Sequence, residues 1–143
     1  MSESLIQHYT ISADDFAAAG AASAAVKKTL KQLGLSPEII RRASIAMYEG
    51  EINTVIHGGG GTAEVEIAED YIKISLHDQG PGIPDVELAM KEGFSTASDL
   101  VRELGFGAGM GLPNIKKHSD DLQIVTEVGK GTTLHITVYS GPR

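Results

Sequence analysis

Ile72-Lys73-Ile74-Ser75-Leu76-His77-Asp78-Gln79-Gly80-Pro81-Gly82 is the stretch on which the fold turns. Ile72, Ile74 and Leu76 alternate with Lys73, Ser75 and His77, the period of a strand covered on one face only. Asp78 shares the parity of the apolar residues, so a carboxylate is aimed at the covered face where the strand ends. There it needs a hydrogen-bond partner, because an unpaired buried charge is costly. The glycines that follow permit close backbone approach to a flat ligand; the competing reading is a tight turn closed by an aspartate side-chain bond.

Working outward, Ala63, Val65 and Ile67 against Glu64 and Glu66 repeat the period of two, and Glu69-Asp70 turns the pair into a hairpin. Residues 5–11 predict a further strand. Ser12 with Asp15 gives a capping-box signal for an alanine-rich helix in which Phe16, Gly20, Ser23, Val26, Leu30 and Leu33 recur at helical spacing, with Gly34 as its stop. Ser36-Pro37-Glu38 opens a second helix that ends at the glycines after His57. Downstream come a short helix from Pro84 to about residue 91, a glycine-rich segment, and a helix from about Gly111 to Ser119 that accepts Pro113 in its first turn. Strands 122–128 and 132–139 finish the chain, joined by Gly129-Lys130-Gly131. The expected fold is α+β: a two-layer α/β sandwich, its sheet mixed and mostly antiparallel, with helices on one face, in a single domain over residues 1–143.

The 143 residues, 41% hydrophobic and 22% charged, have ordinary globular composition and room for a core. A net charge of -7, with basic residues scattered along the chain, argues against nucleic-acid and anionic-membrane binding. The absence of cysteine removes disulfides, thiolate metal sites and thiol catalysis. With no membrane-length apolar run and no leader-like N-terminus, a cytoplasmic protein is expected. The five histidines show no metal-ligand spacing, and His57 reads as a helix C-terminal cation.

Glu49 and Asn53 stand four apart on the second helix, hence on one face. Asn53 could hold a hard cation such as Mg2+ that keeps phosphate and water as its other ligands, while Glu49 orients or deprotonates an attacking hydroxyl. Taken alone, this spacing also suits a solvated helix surface. Glu51 lies about 200° round the helix from Glu49 and reads as surface charge. Gly105-Phe106-Gly107-Ala108-Gly109-Met110-Gly111 precedes a helix, so free N–H groups and the helix N-terminus can cradle phosphates; a flexible linker is the alternative. The dinucleotide pattern fails, since Met110 stands where its last glycine belongs. Gly129-Lys130 is no phosphate loop, because Gly131 replaces its Ser or Thr and Ile124 its first glycine. The parity of Thr132 with Leu134, Ile136 and Val138 aims it inward, toward the face of Asp78.

In order, Glu49-x-x-x-Asn53, Asp78-x-Gly80-x-Gly82, the stretch from Gly105 to Leu112 and Gly129-x-Gly131-Thr132 resemble the GHKL, or Bergerat-fold, ATPases of gyrase, heat-shock chaperone, histidine kinase and mismatch-repair proteins. Glu92-Gly93-Phe94-Ser95-Thr96 followed by Gly109-Met110-Gly111-Leu112-Pro113 looks most like the bacterial anti-sigma-factor and switch-protein serine kinases of the RsbT and RsbW type. The resemblance implies ATP and Mg2+ as cofactors, Asp78 accepting from the adenine amino group, Gly80 and Gly82 in the base pocket with Thr132 supporting it, Asn53 on the metal and Glu49 as catalytic base. Gly105, Gly107, Gly109, Met110, Gly111 and Leu112 would hold the phosphates, and residues from about 91 to 108 would form a lid. Implied partners are a small antagonist or switch protein, STAS-like, and a sigma factor or sensor; a homodimer is compatible with the resemblance. Related histidine kinases carry a basic residue three positions after the metal asparagine, where this chain has Ile56, so Lys116 or Lys117 would have to supply that phosphate contact or it is missing. Three functions compete: a protein serine/threonine kinase, a nucleotide-gated partner-binding module without phosphoryl transfer, and an ATPase subunit of a larger machine.

Overall fold

The computed structural model describes residues 4–12, 20–56, 59–83, 86, 90 and 111–140. Gly105, Gly107, Gly109, Met110, the expected lid and His57 lie outside the described residues. The elements in chain order are β1 (Leu5–Ser12), α1 (Ala21–Gln32), α2 (Pro37–Ile56), β2 (Gly60–Ile67), β3 (Tyr71–Asp78), α3 (Gly111–His118), β4 (Asp121–Glu127) and β5 (Gly131–Tyr139). The strands make one sheet in the order β1-β2-β3-β5-β4, with every neighbouring pair antiparallel.

Strand parity decides which face is covered. Ala63, Val65 and Ile67 of β2, Ile72, Ile74 and Leu76 of β3, and Leu134, Ile136 and Val138 of β5 are all buried. They meet Val26 and Leu30 of α1, Ala43, Ala46 and Met47 of α2, and Leu112 and Ile115 of α3 in one hydrophobic cluster. Removal of this apolar surface from water drives the two layers together. α1 packs over β1, α2 over the middle of the sheet and α3 over β4, with α2 touching both other helices. No described helix is long and apolar enough to cross a membrane.

Local signals end the elements as expected in most places. The Ser36 hydroxyl accepts from the Ile39 N–H at 3.3 Å to cap α2. Gly34, at φ 77°, closes α1 while the Leu35 N–H reaches back to the Leu30 carbonyl at 3.3 Å, the six-to-one bond of a Schellman ending. The β2–β3 turn is tied by the Ala68 N–H donating to the Tyr71 carbonyl at 2.9 Å. Beyond Pro84, the Met90 N–H donates to the Val86 carbonyl at 3.0 Å.

Two expectations need correction. The alanine-rich helix does not run through Gly20: that residue sits at φ 98° as the N-cap of α1, a left-handed conformation no helix interior allows. Glu51 is not surface charge either. It is only 3% exposed, and its carboxylate accepts the N–H groups of Gly20 at 2.9 Å, Ala22 at 3.2 Å and Ser23 at 3.0 Å. The angular argument took the face opposite Glu49 to be solvent, whereas α2 lies between two helices and a sheet. Glu51 thus caps α1 from another helix, satisfying the orphan donors at its positive end.

Candidate nucleotide site

Asp78 ends β3 facing the helical layer and is 5% exposed. Its Oδ1 accepts the N–H of Gly80 at 2.9 Å and the N–H of Thr132 at 3.2 Å. The first bond is the aspartate-closed turn; the second crosses to β5, so the turn reading and the inward-carboxylate reading hold together. Both bonds fall on one oxygen. Oδ2 takes no hydrogen bond from a described residue, yet it is not among the buried atoms left without a partner, so it stays open to an incoming donor.

The turn after Asp78 is fixed by the β4–β5 hairpin. The Thr132 hydroxyl, buried as parity requires, meets the Thr126 hydroxyl at 2.9 Å, and Thr126 Oγ1 accepts the Ile83 N–H at 2.8 Å. The Gly129 N–H donates to the Pro81 carbonyl at 2.8 Å. Gly82 stands at φ 79°, and a Cβ there would lie 2.5 Å from the Glu127 carbonyl oxygen. Its lack of a side chain therefore serves the neighbouring backbone, which the sequence could not reveal. Thr126 was missed as well; its only signal was inward parity with Leu122 and Ile124 on β4.

Glu49 and Asn53 are both half-buried on α2, which packs against α3. Burial raises the Glu49 carboxyl above its ordinary value, while a hydrogen bond with Asn114 and the nearby His118 pull the other way. His118 Nδ1 in turn lies 2.9 Å from the Asn114 carbonyl oxygen. Asn114 and His118 escaped the sequence reading because their relation to Glu49 exists only once α3 lies on α2. Asn53 has no hydrogen bond to a described residue, leaving a half-buried amide oxygen available. Among the described residues no three His, Asp or Glu side chains cluster as metal ligands. Gly111 opens α3 and Leu112 anchors it, 6% exposed, in the core. Lys116 and Lys117 are exposed in the last turn of α3, at the far end from Gly111. A shallow concavity lined by residues including His8, Glu64, Ser75 and His77 lies across β1, β2 and β3, and Asp78 is not part of its lining.

A family model described as histidine kinase-, DNA gyrase B- and HSP90-like ATPase matches residues 38–141. The chain belongs to this family of ATPases. Among its relatives is the serine/threonine-protein kinase RsbT of Bacillus subtilis (strain 168), 32% identical over 112 residues that cover 76% of this chain and 78% of that protein. The anti-sigma F factor of Bacillus thuringiensis (strain Al Hakam) is 28% identical over 116 residues, covering 77% and 76%. Two solved structures share the fold. The RsbU and RsbW domains of Rv1364c from Mycobacterium tuberculosis superpose with a TM-score of 0.65 at 20% identity, over 96% of this chain and 33% of that longer one. The mycobacterial sensor histidine kinase MprB gives 0.55 at 17% identity, over 97% and 100%. Family members use ATP, and α2 from Glu38 onward, β3, α3 and the β4–β5 hairpin fall inside the matched range.

Proposed function

We propose that this chain is a Mg2+-dependent serine/threonine protein kinase that transfers the ATP γ-phosphoryl group to a serine of a small, STAS-like antagonist or switch protein in bacterial signalling. Residues 1–143 act as one ATP-binding domain in the cytoplasm. The observation that carries the nucleotide half is Asp78: Oδ1 is held by Gly80 and Thr132 while Oδ2 faces an incoming donor, the adenine amino group. Gly80, Gly82 and Thr132 shape the base pocket. Gly105, Gly107, Gly109, Met110, Gly111 and Leu112 hold the phosphates, and Asn53 supplies a protein oxygen to Mg2+.

When bound, Mg2+ neutralises phosphate charge and orients the transferred group. Glu49 takes the serine hydroxyl proton as the oxygen bonds to phosphorus and ADP leaves. Its raised pKa makes it the better base, and Asn114 fixes its direction. Support for a protein acceptor comes from the likeness to a serine/threonine-protein kinase over three quarters of the chain. The test is incubation with labelled ATP and the products of neighbouring genes. A protein labelled on serine is expected; ATP binding with no labelled protein would sink the kinase reading.

A second reading is favoured by the anti-sigma F factor relatives. In it, nucleotide occupancy gates the grip on a sigma factor or sensor and no phosphoryl group moves. Partner affinity that is the same with ATP, ADP and no nucleotide would refute it.

A further inference from the structure

Basic residues that are scattered in sequence fall on three helices whose ends meet. Lys27, Lys28 and Lys31 lie on α1, Arg41 on α2, and Lys116 and Lys117 on α3, all exposed. The four residues 33–36 between α1 and α2 put the end of α1 beside the start of α2. A half-buried ion pair at 3.1 Å between Arg42 of α2 and Asp120, two residues past α3, brings the end of α3 to the same place. None of the six cations forms an ion pair with a described residue. The described strands and turns carry the opposite sign: Glu64, Glu66, Glu69, Asp70, Asp121 and Glu127 against Lys73 and Lys130.

Helix dipoles explain only part of this. Lys31, Lys116 and Lys117 sit in last turns, where a cation is favoured. Arg41 lies near the start of α2, where a cation is disfavoured, and Lys27 and Lys28 lie within α1. One apolar side chain is exposed at this end as well: Leu33, in the connection between α1 and α2, is 53% exposed. Glu38, exposed one turn before Arg41, is the one acidic side chain of α2's first turn, so five lysines and one arginine leave this end strongly positive, which favours steering and selection of a partner surface of opposite charge. Three helices about 9 Å apart give a face about 20 Å across, enough for one side of a small protein contact.

We propose that this end of the helical layer docks an acidic surface of a partner protein. A finite acidic surface engages the patch alone, whereas an extended polyanion such as duplex DNA or an anionic bilayer would also meet the acidic remainder of a chain of net charge -7. Asn53 lies toward the other end of α2 from Arg41, so a partner docked here leaves the nucleotide site open. The proposal does not depend on phosphoryl transfer.

The test is fluorescence anisotropy of a labelled oligoglutamate peptide with the full chain saturated with ADP. Binding is expected that weakens as salt rises from about 50 to about 200 mM. Lys28→Glu with Arg41→Glu should weaken it by roughly tenfold or more, and Lys73→Glu with Lys130→Glu by less than about twofold. Calorimetric ADP binding at wild-type affinity in both variants shows that each is folded, and separates this proposal from the nucleotide reading. If the reversals impair folding, Lys28→Gln with Arg41→Gln replaces them with the same expected direction. Equal losses in the two pairs would overturn the proposal, as would tighter binding of a short DNA duplex or of phosphatidylserine vesicles than of the peptide.

Discussion

Replacing Glu51 should be among the most damaging single changes outside the nucleotide site. Glu51→Ala removes a buried acceptor and strands the three N–H groups of Gly20, Ala22 and Ser23 that now donate to it at 2.9, 3.2 and 3.0 Å. A hydrogen bond to a charged group contributes about 1.5–3 kcal/mol, but the three share one carboxylate, and water can enter beside half-buried Gly20. Loss of a helix N-cap alone costs about 1 kcal/mol. The expected loss is therefore about 3–5 kcal/mol, a large share of the roughly 5–15 kcal/mol that holds a domain together. With a urea slope near 2 kcal/mol per molar, the midpoint should fall by about 2 M. Glu51→Gln keeps one oxygen but turns an amide donor toward a backbone donor, so it should recover only part of the loss. Urea denaturation measures the magnitude, and hydrogen exchange of the Gly20, Ala22 and Ser23 amides locates it. A loss below about 1 kcal/mol for Glu51→Ala, or unchanged protection of those amides, would refute the argument.

Asp78→Asn should weaken nucleotide binding by roughly a hundredfold, since the amide cannot accept from Gly80, Thr132 and adenine together; calorimetric titration of ATP checks it. Glu49→Gln should keep ATP affinity within about threefold and abolish phosphoryl transfer, as single-turnover kinetics will report. The Glu49 carboxyl is raised, so it is the ionised base only above its elevated pKa, and the acid limb of transfer should lie above the ordinary 4.5. The same sign governs stability: the Glu49 contribution is fully present below 4.5 and is lost as pH rises through the raised value, so Glu49→Gln should be the more stable protein at neutral pH, measured by denaturation at two pH values. Gly82→Ala forces a Cβ to 2.5 Å from the Glu127 carbonyl at a positive φ and should cost about 2 kcal/mol of stability along with nucleotide affinity.

Strand parity exposed much of the site in advance. Alternation through Ile72, Ile74 and Leu76 carries Asp78 inward, and alternation through Leu134, Ile136 and Val138 carries Thr132 to meet it; the Thr132 N–H to Asp78 bond joins the two. Parity works because a strand inside a sheet has only two sides. Angular reasoning on α2 failed for Glu51 because a helix has a continuous circumference, and its neighbours decide how much of that is wet.

The sequence by itself determined the strands, the caps at Ser36 and Gly34, the covered face and the inward aim of Asp78, all consequences of local chemistry and period. Only the tertiary structure decided that Glu51 caps α1, that burial raises the Glu49 carboxyl, and that Gly82 makes room for a hairpin. It also decided that the end of α1, the start of α2 and the end of α3, each carrying exposed basic residues, meet at one end of the helical layer. Each of these depends on contacts between residues far apart in the chain, which no local pattern records: packing brings the elements together, and burial then sets what each charge must find there.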